Sequence, residues 1–291
     1  MSVRDLADWP NAHASRFVRA TGLDWHVQIM GKGPVMLLVH GTGAATHSWR
    51  DMLPELARDF TVVAPDLPGH GFTSAPPGHL LSLPGMARDL AGLLSKLGMA
   101  PVIAVGHSAG AAILCRMSLD GALPSLRALV SLNGAMLPLD GAPGKMFAPL
   151  ARLLVGLPLV PQLFAWRAGD RKVVEKLLAG TGSKIDARGI DLYARVVRRP
   201  AHAAAALRMM ANWDLNPLVR DLPRLSPPLH LIAGGADRAI PPSDSARVRD
   251  MIPGATLAIM PGLGHLAHEE DFVGTAALIR DYAQAHGLVA A

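Results

Sequence analysis

The five residues Gly106-His107-Ser108-Ala109-Gly110 constrain this chain of 291 residues more than any other stretch. The apolar run Pro101-Val102-Ile103-Ala104-Val105 precedes them and reads as a buried strand. Ala111-Ala112-Ile113-Leu114-Cys115-Arg116-Met117 follows and reads as a buried helix. A serine between glycines at a strand-to-helix joint sits on a turn so sharp that side chains two positions to either side would collide with neighbouring backbone. The same turn lifts the hydroxyl clear of a sheet and sets a helix N-terminus beneath any negative charge that develops beside it. Ser108 is therefore the candidate nucleophile.

The rest of the chain supplies the sheet that such a turn needs. Ser15–Ala20 and Trp25–Gly31 read as two strands joined at Thr21-Gly22-Leu23-Asp24, an antiparallel hairpin. Val35–Val39 is a continuous apolar strand of the kind buried on both faces. A helix over Trp49–Arg58, a strand over Phe60–Ala64 and a helix over Leu83–Leu97 follow, with Gly98 as the stop signal of the last. Beyond the serine turn, Leu126–Leu132 is another strand. From Ala135 to about Leu222 only helical patterns appear, broken by prolines and glycines. Alternation resumes with a strand at Leu229–Ala233, a helix at Ser243–Met251, a strand at Thr256–Met260 and a helix at Phe272–Ala285. Strands alternating with helices predict an α/β fold with a mostly parallel sheet flanked by helices. The helical insert is expected to form a cap over the carboxyl ends of the strands, where such sheets bind ligands. The expected division is a core of residues 1–134 and 223–291 and a cap of residues 135–222.

A serine hydroxyl needs a base, and the base needs a third group to fix its tautomer and to stabilise its charged form. Asp237 stands in the glycine-rich turn Gly234-Gly235-Ala236-Asp237 just past a strand, and His265 closes Pro261-Gly262-Leu263-Gly264-His265 after the last strand. The chain order serine, acid, histidine is the one found in the α/β-hydrolases that this serine turn resembles. Asp244 and Asp140 are the reserve acids, with Asp244 read as decorating a helix; His268, beside Glu269 and Glu270, is the reserve base, read as a surface or capping group. An oxyanion needs two backbone donors. The amide of Ala109 directly follows the nucleophile, and the loop His40-Gly41-Thr42-Gly43 offers the amide of Thr42. His40 reads as a loop-organising hydrogen bonder, and His107 as a neighbour without a required chemical role. Asp66, ahead of Pro68-Gly69-His70-Gly71, reads as a turn organiser. Gly41-Thr42-Gly43-Ala44-Ala45-Thr46 also mimics a dinucleotide fingerprint, but Thr46 replaces its third glycine and the match is loose. The set calls for no cofactor and no metal.

Composition bounds the alternatives. Half the residues are hydrophobic and 18% are charged, enough for a sizeable core. The single cysteine, Cys115, excludes an internal disulfide and reads as a core residue. The polar start Met1–Asp8 lacks the apolar stretch of a secretory signal, so a cytoplasmic location is expected. Residues 146–166 approach the length of a membrane span, but Pro149, Pro158, Pro161 and Arg152 interrupt them; two short apolar helices over a pocket explain them better. Residues 135–224 hold 14 Lys and Arg against 7 Asp and Glu, while the whole chain holds 28 against 23. That basic insert suits an anionic ligand or peripheral association with a membrane face. No nucleic-acid motif is present. Met146, Phe147, Phe164, Trp166, Met209 and Trp213 are the candidate pocket-lining residues of the insert.

Over nearly its whole length the chain resembles the α/β-hydrolase superfamily, through His40-Gly41-Thr42-Gly43, Asp66-Leu67-Pro68-Gly69-His70-Gly71, Gly106-His107-Ser108-Ala109-Gly110, Asp237 and Gly264-His265. That resemblance implies an eight-stranded sheet with a helical cap inserted after strand 6. The serine separates the chain from haloalkane dehalogenases and epoxide hydrolases, which carry aspartate there. Asp8-Trp9-Pro10-Asn11, Ser15-Arg16-Phe17-Val18, Trp25-His26-Val27-Gln28 and the stretch His40–Arg50 further resemble the magnesium-chelatase accessory proteins of bacteriochlorophyll biosynthesis. This narrower likeness implies a tetrapyrrole ligand carrying propionates or a methyl ester, and contact with magnesium chelatase. Two functions follow: a serine hydrolase of an ester-type substrate, or a non-catalytic tetrapyrrole-binding accessory protein.

Overall fold

The computed structural model describes residues 6–138 and 170–289. Eight strands form one sheet: β1 (Ser15–Ala20), β2 (Leu23–Met30), β3 (Val35–Val39), β4 (Thr61–Pro65), β5 (Ile103–His107), β6 (Ala128–Leu132), β7 (Leu229–Gly234) and β8 (Thr256–Met260). Their spatial order is β1-β2-β4-β3-β5-β6-β7-β8. β1 and β2 pair antiparallel, as do β2 and β4, and every later pair is parallel. The order reverses around β3, so the loops after β3 and β5 open onto one end of the sheet, where ligands enter such folds.

Helices cover both faces. α1 (Met52–Leu56), α2 (Leu83–Leu97) and α3 (Ala109–Leu119) precede β6; α8 (Pro242–Met251), α9 (Ala267–Glu270) and α10 (Phe272–Ala285) accompany the last two strands. Between β6 and β7 the chain forms α4 (Arg171–Gly180), α5 (Ala187–Val197), α6 (Pro200–Ala211) and α7 (Asn216–Asp221). Strand side chains alternate faces. Leu37 and Val39 of β3 therefore join Met86, Leu90 and Leu93 of α2 and the apolar residues of α3. Met36 and Leu38 join Met52, Leu53 and Leu56 of α1 and Ala276, Ile279 and Ala283 of α10. A third cluster seats Val174, Leu178, Ile190 and Val197 of the helical segment on Trp9, Ala44, Ala45, Phe72 and Leu266, residues of the N-terminal segment and of loops past β3, β4 and β8.

Three local expectations shift. The hairpin turn is two residues, Thr21 and Gly22, both left-handed with φ of 51° and 77°, and Leu23 and Asp24 belong to β2. Left-handed pairs suit the twist of tight hairpins. The helix expected over Trp49–Arg58 divides into a 3-10 turn, Thr46–Trp49, and the short α1. Pro54 has no N–H to give, so it is accommodated in a first helical turn and not inside a longer helix. β5 runs two residues further than its apolar stretch, through Gly106 and His107, because pairing of Gly106 with Val39 and of His107 with Leu132 carries it into the serine turn. By contrast α2, β8 and α10 have the expected bounds; α2 ends at Gly98 with φ 64°.

No helix of the described residues is long and apolar enough to cross a membrane. Residues 146–166 lie outside the described residues. Cys115 is buried, and burial pushes its thiol up to about 12.

Candidate active site

Ser108 holds a backbone conformation that side chains rarely adopt, φ 52° and ψ −119°. Such a residue persists only when its surroundings over-determine it. Its N–H donates to the Leu132 carbonyl at 3.0 Å, and its own carbonyl accepts from Ala111 at 3.1 Å and Ala135 at 3.0 Å. Side chains at the flanking positions would not fit. A Cβ on Gly106 would lie 2.5 Å from the Ala111 nitrogen, and one on Gly110 would run into the Val39 carbonyl. Gly41 is packed just as closely, its virtual Cβ 2.9 Å from Ser108 Cβ. α3 starts at Ala109, so its free N–H groups gather beside the serine.

Asp237 and His265 come together from separate turns. His265 Nδ1 donates to Asp237 Oδ2 at 2.8 Å. A carboxylate can only accept, so the hydrogen of this bond sits on Nδ1, and in the neutral ring Nε2 is the nitrogen that holds the lone pair. Asp237 is 6% exposed and saturated: Oδ1 accepts from Ala239 and Ile240 at 2.8 and 2.9 Å, and Oδ2 also accepts from Asn133 Nδ2 at 2.7 Å. Burial alone would raise its pKa, but the His265 and Ile240 N–H groups and the Asn133 amide together hold it below the ordinary carboxylate value.

Ser108, His265, Thr42, Gly41 and Gly43 share the wall of one cavity of about 380 Å³. The rest of its lining includes Val174, Leu177, Leu178, Val197, Leu207 and Met210, and none of the described lining residues is Lys, Arg, Asp or Glu. Ala109 is buried at the start of α3, next to this wall. Of the expected lining residues, Met146, Phe147, Phe164 and Trp166 lie outside the described residues. Met209 and Trp213 are absent from the described lining. Met209 is buried in the core beneath, where its sulfur accepts from the Thr42 hydroxyl at 3.5 Å, and Trp213 packs against the same core. The neighbouring Met210, one residue on along α6, takes the lining position.

Other polar residues have structural partners. Asp66 accepts from Thr46 N at 2.6 Å, from His26 Nδ1 at 2.7 Å and from Phe72 N at 2.8 Å. It ties together the loops after β3 and β4, and so is not free to take a ribose as a dinucleotide site would require. His40 Nε2 accepts from Leu67 N at 3.0 Å and His40 Nδ1 donates to the Gly41 carbonyl at 2.8 Å. Asp244 stands in the first turn of α8, and Asp140 lies outside the described residues. His268 departs from its expected surface position. It is buried, its ring lies 4.4 Å from that of His107, and its Nε2 meets Ser48 Oγ at 2.8 Å. The short helix α9 faces inward because Glu269 beside it is the buried partner of Arg50, Ser48 and Tyr193. Among the described residues no group of three or more His, Cys, Asp or Glu is placed to hold a metal ion.

Three residues contribute that the sequence reading leaves out or, for His107, gives no chemical role. Asn133 braces Asp237. His107 Nε2 donates to the His265 carbonyl at 2.9 Å and so holds the histidine loop; burial, then the neighbouring His265, push its pKa down to about 3, so it stays neutral. His202 of α6 lines the cavity, and burial brings its pKa to about 4. The Asn133-Gly134 pair, where alternation stops, was the one available pointer to a special backbone site; Asn133 has φ 47°.

Comparison with known proteins places this fold in a family. A model of the alpha/beta hydrolase family matches residues 36–278. The chain is 40% identical over 278 residues to the magnesium-chelatase 30 kDa subunit of Rhodobacter capsulatus, covering 95% of this chain and 96% of that one. It is 30% identical to the 2-hydroxy-6-oxo-2,4-heptadienoate hydrolase of Pseudomonas putida, covering 94% and 97%. Among solved structures, an alpha/beta hydrolase fold protein from Burkholderia ambifaria superposes with a TM-score of 0.77 at 23% identity, over 92% of this chain and 97% of that one, a likeness of fold.

Proposed function

The chain belongs to the alpha/beta hydrolase family, and we propose that it is a serine hydrolase acting on a carboxylic ester. The observation that carries this reading is the His265–Asp237 hydrogen bond of 2.8 Å beside a cavity whose wall also holds the strained Ser108. In this reading Ser108 Oγ attacks the ester carbonyl carbon while its proton passes to His265 Nε2. Asp237 stays ionised and stabilises the imidazolium. The amides of Thr42 and Ala109 receive the negative charge on the carbonyl oxygen. Collapse breaks the bond to the alkoxy group, which leaves as an alcohol carrying the proton from His265. Water then attacks the acyl-serine, giving up its proton to His265, and the carboxylic acid departs as Ser108 recovers its hydrogen. The division into a core of residues 1–134 and 223–291 and a substrate-facing cap of residues 135–222 belongs to the same proposal, as does a cytoplasmic location. A fluorophosphonate probe tests it. Labelling of the wild type and none of Ser108→Ala is expected; a folded wild type that stays unlabelled overturns it.

The 40% identity to a magnesium-chelatase subunit supports a more specific substrate. The ester would be carried by a tetrapyrrole of the magnesium branch of bacteriochlorophyll biosynthesis, with contact to the chelatase and peripheral attachment to a membrane. The competing reading keeps the tetrapyrrole and removes the catalysis, leaving an accessory protein that binds ligand for the chelatase. Incubation with magnesium-protoporphyrin and its methyl ester, with product analysis and a binding titration, separates the two. Ester cleavage lost in Ser108→Ala supports the hydrolase; tight binding without turnover supports the accessory role.

A further inference from the structure

Helix α6 reaches into the loop that carries Thr42. His202, in the first turn of that helix, is 2% exposed and lies between two loops that follow adjacent strands, β3 and β4. The Gly71 N–H donates to its Nδ1 at 3.1 Å. Nδ1 therefore carries no hydrogen, and Nε2–H donates to the Gly43 carbonyl at 3.0 Å. Both nitrogens are used, in one neutral tautomer. The peptide whose carbonyl His202 holds is fixed at its other end too, since Ala44 N–H donates to the Gly41 carbonyl at 3.2 Å. Thr42 lies between these two anchored glycines, and its hydroxyl donates to Met209 on the same helix. The loop has little tolerance for drift, because Gly41 already packs against Ser108 with no room for a Cβ.

We propose that His202 is a positioning residue that holds the Gly41–Ala44 loop in its oxyanion-binding geometry, so that the seating of α6 is a condition for acyl transfer. The inference rests on the hydrolase reading above. It assigns to the helical segment a part in transition-state stabilisation in addition to lining the cavity. A ring that merely filled space would be replaceable by an apolar side chain of similar size; a ring that bridges a donor and an acceptor is not, whereas a carboxamide, with one of each, can replace it in part.

The test compares His202→Leu, His202→Gln and Arg199→Ala with the wild type. Arg199 donates to the Gly71 carbonyl at 2.9 Å and so ties the start of α6 to the β4 loop. His202→Leu is expected to lower kcat and the fluorophosphonate labelling rate by about 10²-fold, the usual effect of losing an oxyanion donor, with KM little changed. His202→Gln should recover much of the loss, and Arg199→Ala, which loosens the seating of α6 but keeps the ring bridge, should lower kcat by less than His202→Leu does. Hydrogen exchange of residues 41–46 should quicken in His202→Leu. A folded His202→Leu that is labelled as fast as a labelled wild type, with unchanged exchange in that loop, overturns this inference alone. A wild type that is never labelled overturns the hydrolase reading and this inference with it. Should His202→Leu not fold, His202→Ala, which also removes both the donor and the acceptor, reads the same quantities, and a folded His202→Ala labelled as fast as the wild type with unchanged exchange in residues 41–46 overturns the bridging role.

Discussion

The side-chain amide of Asn133 donates to Asp237 Oδ2 at 2.7 Å, the same oxygen that receives the His265 ring. The carboxylate is thus oriented from β6 as well as from its own turn. Asn133 sits at φ 47°, so glycine is the replacement that removes the amide without straining the backbone. A hydrogen bond to a charged group contributes about 1.5–3 kcal/mol. Asn133→Gly should therefore lower kcat/KM on a neutral ester by about 10-fold to 100-fold. The missing donor also lets the Asp237 pKa rise, so the acid limb of the pH–rate profile should move to higher pH.

Ser108 contributes strain as well as a hydroxyl. A non-glycine residue in such a region costs of order 1–3 kcal/mol. Ser108→Ala keeps the Cβ and the strain; Ser108→Gly removes both. Both variants should lose probe labelling, and Ser108→Gly should melt about 2–6 °C above Ser108→Ala by calorimetry. Equal melting temperatures would count against stored strain at this turn.

Gly41→Ala sets a methyl 2.9 Å from Ser108 Cβ and 3.0 Å from His107 Nδ1. Neither neighbour is the free end of a flexible chain, so the loop must retreat. Labelling at Ser108 should slow by at least about tenfold, since small misplacements at reacting centres are costly. The virtual Cβ of Gly98 meets nothing within 4 Å, so Gly98→Ala, strained only by its own φ of 64°, should leave labelling unchanged.

Arg50 and Glu269 form a buried ion pair, with Tyr193 and Ser48 also donating to Glu269 at 2.7 Å. Burial pushes the Glu269 carboxyl up, against the pull of Arg50. Arg50→Met should cost about 3–5 kcal/mol by stranding a buried charge. The native state of that variant then holds a proton that the unfolded chain releases, so its stability should fall as pH rises through the ordinary glutamate pKa and up to the raised native value. The melting-temperature difference between Arg50→Met and the wild type, taken at pH 5 and at pH 8, checks this, and adding Glu269→Gln should make that difference the same at both.

The apolar wall of the cavity makes a prediction about charge. With no Lys or Arg among the described lining residues, a free carboxylate within a few atoms of the reacting carbonyl would be desolvated against this part of the wall without a partner from it. Butyrate and hexanoate p-nitrophenyl esters should outrun the hemisuccinate by at least about 10²-fold in kcat/KM, given a desolvation cost of several kcal/mol. Each methylene that fits should raise kcat/KM about fourfold, from roughly 0.8 kcal/mol per buried group.

What the sequence made legible divides along a physical line. Leu83–Leu97 and Phe272–Ala285 were readable because helical periodicity and stop signals mark them, and Thr256–Met260 because an apolar run bounded by turns does. Ser108, Asp237 and His265 were nameable because each sits where glycines force a turn at a strand end. Asn133, His107 and His202 were not, because each acts through hydrogen bonds to residues at least 100 positions away, and a lone polar residue at the end of a strand or on a helix carries no period. His268 was misplaced for the related reason that two adjacent glutamates look like solvent-facing charge, whereas Glu269 has Arg50 as a buried counter-ion.

The sequestered thiol of Cys115 leaves the native chain with no accessible sulfhydryl, since it is the one cysteine of the sequence and is buried against α3's own core. A single cysteine introduced on the outward side of α6 would be the sole reactive handle. A fluorophore or spin label attached there would report the seating of that helix in real time, with every native side chain of the core still in place.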